Sequence, residues 1–204
     1  MDKEIILIGG APTVGKTYLA KKIGKDLKLP WISTDTIREQ MRRTIIQKND
    51  FPHLFNFDKR ELPNMIAYLN NHTPEQIIAD TNLENIEVWN GVTEFINEGS
   101  FGNSYIIEGM AVLPQQVSKL MEQEKGIKPV FLTDHNIDRL RDVIYTRGLW
   151  DAAFKYPDNV KEKELQWVVL FNTWIKKECD KYKIPTVEIT IDSNDYIEKV
   201  KNLI

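Results

Sequence analysis

Gly10-Ala11-Pro12-Thr13-Val14-Gly15-Lys16-Thr17 satisfies the pattern G-x-x-x-x-G-K-[ST] at every fixed position. The flanks fit as well. Glu4-Ile5-Ile6-Leu7-Ile8 is an apolar, β-branched run of the kind that forms a buried parallel strand. After the motif, Leu19, Ile23 and Leu27 recur every four residues, as on one face of a helix. Strand, glycine loop and helix together predict a phosphate-binding loop. Glycines let backbone N–H groups converge on phosphate oxygens, and the following helix adds partial positive charge. Lys16 is the cation expected to reach the β- and γ-phosphates, and Thr17 offers a hydroxyl to Mg²⁺. Gly10, Ala11, Pro12, Thr13, Val14, Gly15, Lys16 and Thr17, with the adjoining Tyr18, form the candidate nucleotide-binding set.

Strand-like runs recur at Pro30–Ser33, Ser104–Ile107, Pro129–Leu132 and Thr186–Ile191, with helical patterns between them. This alternation predicts a five-stranded parallel sheet with helices on both faces, a three-layer α/β sandwich. The 204 residues form one expected domain, and 42% hydrophobic residues suffice for its core. A net charge of −3, with both signs mixed along the chain, argues against a nucleic-acid or membrane-surface partner. No leader and no membrane-length apolar run is evident, so a cytoplasmic enzyme is expected. The one cysteine, Cys179, lies in a helical pattern and reads as a buried structural thiol. His53, His72 and His135 have no zinc-ligand spacing.

Residues 36–103 are too long for a simple crossover and predict a helical insertion, expected to cover the substrate. Helices are expected near Ile37–Gln47 and Lys59–Asn70, around the segment Phe51-Pro52-His53-Leu54-Phe55-Asn56-Phe57. Thr73 and Gln76 have capping-box spacing with Pro74 at the first helical position, and Gly99 is the expected stop. From Asn159 to Tyr182 a helical stripe of Trp167, Phe171, Trp174 and Ile175 reads as packing.

Asp35 directly follows the second strand, where side chains face the ligand crevice of a parallel sheet. It could accept a proton from an attacking hydroxyl, and it equally suits a helix N-cap. Arg38 and Arg42 share its helix face and could hold an anionic acceptor, or form a solvated charged face with Glu39. Glu108 ends the third strand as a Walker B carboxylate does, for the metal or the acceptor. Residues 135–158 form the expected lid. Within it Arg147 beside a potential Gly148 hinge is the first choice to neutralise charge during phosphoryl transfer, then Arg139, then Arg141.

The runs Ile8–Thr17, Ser33-Thr34-Asp35-Thr36-Ile37-Arg38-Glu39-Gln40-Met41-Arg42 and Ile107-Glu108-Gly109-Met110 with Pro114 resemble the 2-phosphoglycerate kinases. So does the stretch from His135–Arg139 through Lys155-Tyr156 to Ile184-Pro185. The resemblance implies a P-loop kinase core that uses ATP and Mg²⁺ on a small hydroxylated acceptor. It implies Lys16 and Thr17 at the phosphates and metal, Asp35 at the acceptor hydroxyl, and Arg38 and Arg42 near its anionic group. Archaeal members with these motifs carry an additional N-terminal region, and a histidine is expected where Met110 stands. Kinases for a sugar acid, nucleoside, antibiotic or nucleotide-sugar remain open, as does a nucleotide-switched binding protein. ATP is the donor expected by default.

Overall fold

The computed structural model describes residues 4–45, 48–55, 61–99, 104–190 and 193–204. Five strands form one parallel sheet: β1 (Glu4–Gly10), β2 (Trp31–Ser33), β3 (Ser104–Glu108), β4 (Ile127–Thr133) and β5 (Thr186–Glu188). Their order is β2-β3-β1-β4-β5, so the strand leading into the glycine loop is central. From Ile5 to Gly10 every residue of β1 is buried, as a central strand covered on both faces must be.

The chain leaves β1 toward one sheet edge through α1 (Lys16–Leu27) and returns across the sheet in the other direction. Right-handed crossovers therefore place α1 on one face and the later connecting helices on the opposite face. The C-terminal helix α9 (Ser193–Lys201) lies with α1, and Lys201 Nζ meets Asp26 at 2.9 Å. Helices α2 (Thr34–Thr44), α3 (Pro52–Phe55), α4 (Leu62–Asn71) and α5 (Pro74–Glu98) connect β2 to β3. Helix α6 (Pro114–Gln123) precedes β4, and α7 (Ile137–Thr146) and α8 (Asp158–Tyr182) precede β5. Helix α8 packs on β4 and against α4, α5, α6 and α7. It thereby joins the insertion helices to the sheet, and one apolar core runs from Leu7 and Phe131 through Phe171 to Ile77 and Leu69.

Local signals explain the element ends. Thr73 accepts from the Gln76 N–H and Gln76 returns the bond to the Thr73 N–H, a complete capping box, and Gly99 ends α5 at φ 67°. The first insertion helix starts earlier than its periodicity suggests, at Thr34, because Ser33 accepts from the Asp35 N–H and caps it. Asp35 is thus a first-turn residue and not the cap. The next helix begins at Leu62 rather than Lys59, and β5 ends at Glu188. Gln47, Asn56, Phe57, Lys59, Asn103 and Ile191, which belonged to expected elements, lie outside the described residues. Cys179 is fully buried, and burial pushes its thiol up to about 12, which keeps it protonated and inert. No helix among the described residues is long and apolar enough to cross a membrane.

Candidate active site

The loop after β1 is shaped by backbone geometry that few residues tolerate. Gly10 sits at φ 140°, where a Cβ would lie 2.5 Å from the Leu132 carbonyl oxygen. Gly15 takes φ 83° at the N-cap of α1 and faces open space. Ala11 and Val14 are buried and pin the loop from below, while Pro12 and Thr13 face a cleft of about 410 Å³. Thr13 itself is left-handed at φ 64°, and its buried hydroxyl has no partner among the described residues. The first turn of α1 has neither a side-chain cap nor an acidic residue. Its N–H groups and the helix dipole are therefore available to an anion.

Lys16 is buried and donates from Nζ to the Ala11 carbonyl at 2.6 Å, back over its own loop. Burial lowers its pKa, and the charges of Glu108 and Asp35 oppose that shift. Glu108 shows the converse: burial raises its carboxyl, while Lys16 and the hydroxyls of Ser33 and Thr17 favour the ionised form. The sheet register brings this about, since Ser33, Glu108 and Ile8 are neighbours at the carboxyl edges of β2, β3 and β1. Thr17 donates to Glu108 Oε1 at 3.0 Å. A hydroxyl and a carboxylate so placed are hard oxygen donors, the chemistry that would suit Mg²⁺. Gly109 turns the chain away at φ 145°, and a Cβ there would overlap Thr34 Oγ1. The glycine after the acid thus lets α2 approach, which carries Asp35 to the cleft.

Asp35, Arg38 and Arg42 all line the cleft, as their shared helix face implies. Their surroundings differ. Asp35 is exposed and 3.2 Å from Arg38 Nη1. Arg42 is only 10% exposed and committed: Nε donates to Leu54 O at 2.9 Å, Nη1 to Glu39 at 2.7 Å and Nη2 to Glu84 at 2.8 Å. The short α3 that supplies Leu54 O is itself held by Glu87, which accepts from the His53 and Leu54 N–H groups. Arg42 is therefore a strut between α2, α3 and α5 before it is an anion receptor.

Sequence reasoning missed Glu84, Thr81 and Trp167, which complete the cleft wall. Thr81, Glu84 and Asn85 are buried polar residues on the stripe that also carries Ile77, Ile78 and Val88. Polar residues at core positions of an amphipathic helix were the available signal. Trp167, read as packing, does join the core, but its side chain also lines the cleft, and its indole N–H has no partner among the described residues.

The structure does not bring the lid arginines to this cleft. Arg147 ends α7 with its side chain 66% exposed and pairs with Asp151 at 2.8 Å. Arg139 pairs with the buried Asp134, and Arg141 with Glu162 at 2.5 Å. Tyr18 is exposed on α1 and, with Arg139, acts electrostatically on Tyr196, away from the cleft lining. Within the expected lid, residues 135–158, Leu149 lines the cleft. Gly148, expected as a hinge, is tightly packed: a Cβ there would overlap the Tyr156 hydroxyl.

A central strand that opens into the glycine loop, beside a strand ending in a buried acid and in the order β2-β3-β1-β4-β5, makes this a P-loop kinase fold. Over 98% of its length the chain is similar to the 2-phosphoglycerate kinase of Methanocaldococcus jannaschii, 27% identical over 202 residues that make up 62% of that protein. The chain spans less than two thirds of the length of the curated relatives it matches. Among solved structures, a gluconokinase from Sinorhizobium meliloti 1021 aligns with a TM-score of 0.52 and 13% identity, over 97% of this chain and 89% of that one. The shikimate kinase from Bacteroides thetaiotaomicron aligns with a TM-score of 0.51 and 18% identity, over 98% and 96%. Both share the fold. No family model matches the chain.

Proposed function

We propose that this protein is a small-molecule kinase that transfers the γ-phosphoryl group of ATP to a hydroxyl of a small anionic metabolite. The observation that carries this reading is that the phosphate loop and Asp35 open into one cleft. Lys16 and the N–H groups at the start of α1 would hold the triphosphate. Thr17 and Glu108 would hold Mg²⁺, which when bound offsets the charge of the phosphate oxygens. Asp35 orients the acceptor hydroxyl and takes its proton as the acceptor oxygen bonds to phosphorus. The bond from phosphorus to the ADP oxygen breaks, and ADP leaves. Arg38 sits beside Asp35 and would hold the anionic group of the acceptor. The insertion helices α4 and α5, with Leu149 of the lid, wall off the acceptor side and limit water. A charge-neutralising role for Arg147 would require the 147–156 segment to close further.

The two relatives, each a 2-phosphoglycerate kinase, are the reason to include 2-phosphoglycerate among the acceptors tested. Incubation with γ-labelled ATP, Mg²⁺ and a panel of hydroxylated acids, sugars and nucleosides tests the reading. Label is expected in one acceptor class, with ADP formed in equal amount. ATP hydrolysis that no acceptor changes, together with nucleotide-dependent capture of a protein partner, would instead favour a switch.

A further inference from the structure

The acceptor side of the cleft carries more acid than base. Beyond the phosphate loop and Glu108, its charged groups are Arg38 and Arg42 against Asp35, Glu39 and Glu84. Arg42 is already neutralised, because Glu39 and Glu84 take its two terminal nitrogens and Leu54 O takes Nε. Arg38 is different. Its Nη1 pairs with Asp35, and its buried Nε lies 3.7 Å from Glu84 and 3.8 Å from Glu39 without a hydrogen bond. Its guanidinium is held by ion pairs rather than by the set of hydrogen bonds that fixes Arg42.

Trp167 supplies the second, independent observation. It comes from α8, on a different element from both arginines, is 6% exposed and lines the same cleft. Its Nε1 has no hydrogen-bond partner among the described residues. A buried donor left unpaired costs stability, and a bound ligand oxygen relieves that cost. Donor and acceptor requirements then define the guest. One carboxylate suits the Arg38 guanidinium in exchange for part of its pairing with Asp35. Neutral hydroxyls can donate to the surrounding carboxylates and accept from the indole N–H. A phosphorylated acid would add negative charge to a wall where Asp35, Glu39 and Glu84 already outnumber Arg38 and Arg42.

We infer that the acceptor is a polyhydroxy compound bearing a single carboxylate, held by Arg38 and the Trp167 N–H, and not a phosphorylated acid. This rests on the kinase reading above and narrows it. The excess acid is then a selectivity element, since it repels the doubly charged phosphate that distinguishes 2-phosphoglycerate from glycerate.

The test compares kcat/KM for glycerate and longer monocarboxylic sugar acids with that for 2-phosphoglycerate, at saturating ATP and Mg²⁺. A monocarboxylic acceptor is expected to win by at least about tenfold. Trp167→Phe keeps the ring and removes the donor. It is expected to raise KM for that acceptor several-fold with KM for ATP unchanged. Arg38→Gln is expected to raise the same KM by about tenfold or more, and Glu39→Gln to move the ratio toward 2-phosphoglycerate. A preference for 2-phosphoglycerate in the native protein would overturn the inference and leave the kinase reading standing. Unchanged acceptor KM in both Trp167→Phe and Arg38→Gln would overturn the assigned contacts. Transfer to none of the compounds, with acceptor-independent hydrolysis, would overturn both.

Discussion

Thr17 gives its hydroxyl hydrogen to Oε1 of Glu108 across 3.0 Å, so the first turn of α1 and the end of β3 meet at one oxygen pair. If that pair holds Mg²⁺, each oxygen contributes separately. Thr17→Val keeps the side-chain shape and removes the ligand, and Glu108→Gln keeps the size and removes the charge. Each is expected to raise the Mg²⁺ concentration for half-maximal turnover by on the order of 10–100-fold. A magnesium titration at saturating ATP reads it, and native-like curves for both variants would take the metal elsewhere.

Lys16 and Asp35 should fail in different ways. Lys16→Ala removes a cation expected to act most strongly on the transferring group, so kcat should fall by about 10²–10³-fold. Asp35→Asn should slow transfer by about 10²–10⁴-fold with ATP affinity retained. The helix start should survive, because Ser33 and not Asp35 caps α2. Calorimetric titration with a non-hydrolysable ATP analogue separates the two. Loss of nucleotide affinity in Asp35→Asn would assign that carboxylate to the donor.

Arg42 is expected to matter first for stability. Its removal leaves Glu84 buried and charged on α5 and unties the Leu54 carbonyl. Breaking one half of such a buried pair costs about 3–5 kcal/mol. Urea unfolding of Arg42→Ala should show that loss, and Glu84→Gln in the same background should recover part of it. A native-like midpoint for Arg42→Ala would mean that the strut is dispensable.

The fold was legible where residue identity and backbone demand coincide. The glycine loop, the capping box at Thr73 and Gln76, and the stop at Gly99 each rest on local chemistry that a sequence displays directly. The site was legible only by side. Spacing alone puts Asp35, Arg38 and Arg42 on one face, yet it cannot reveal that Glu39 and Glu84 accept hydrogen bonds from Arg42 and stand only at ion-pair distance from Arg38. Glu84 is 42 residues from Arg42, and such a partner follows from how α5 packs on α2. Trp167 was hidden for a related reason. An aromatic stripe has the same period whether a ring faces the core or the wall of a cleft. Gly148 reads as a hinge in the sequence because a glycine stands beside a charge, whereas in the fold it is small to admit Tyr156.

That Tyr156 packing makes the last prediction. The Tyr156 hydroxyl donates to Glu164 Oε2 at 2.6 Å and accepts from the Leu149 N–H at 2.8 Å, tying the lid segment to α8. Glu164 is 2% exposed, and burial lifts its carboxyl from 4.5 to about 7, against the opposing pull of the Tyr156 hydrogen bond and Lys161. The folded protein therefore keeps this proton where the unfolded chain has released it. The resulting stability is complete below about pH 4.5 and is lost as pH rises to about 7, a span on the order of 3 kcal/mol. Urea midpoints measured from about pH 5 to about pH 8 should fall more steeply for the native protein than for Glu164→Gln, which has no proton to lose. In Tyr156→Phe the bond that favours the ionised form is gone, so the decline should shift to higher pH. Amide exchange at Leu149 should quicken in that variant, because its N–H loses its acceptor. Equal pH slopes in the native protein and Glu164→Gln would show that another group controls the decline.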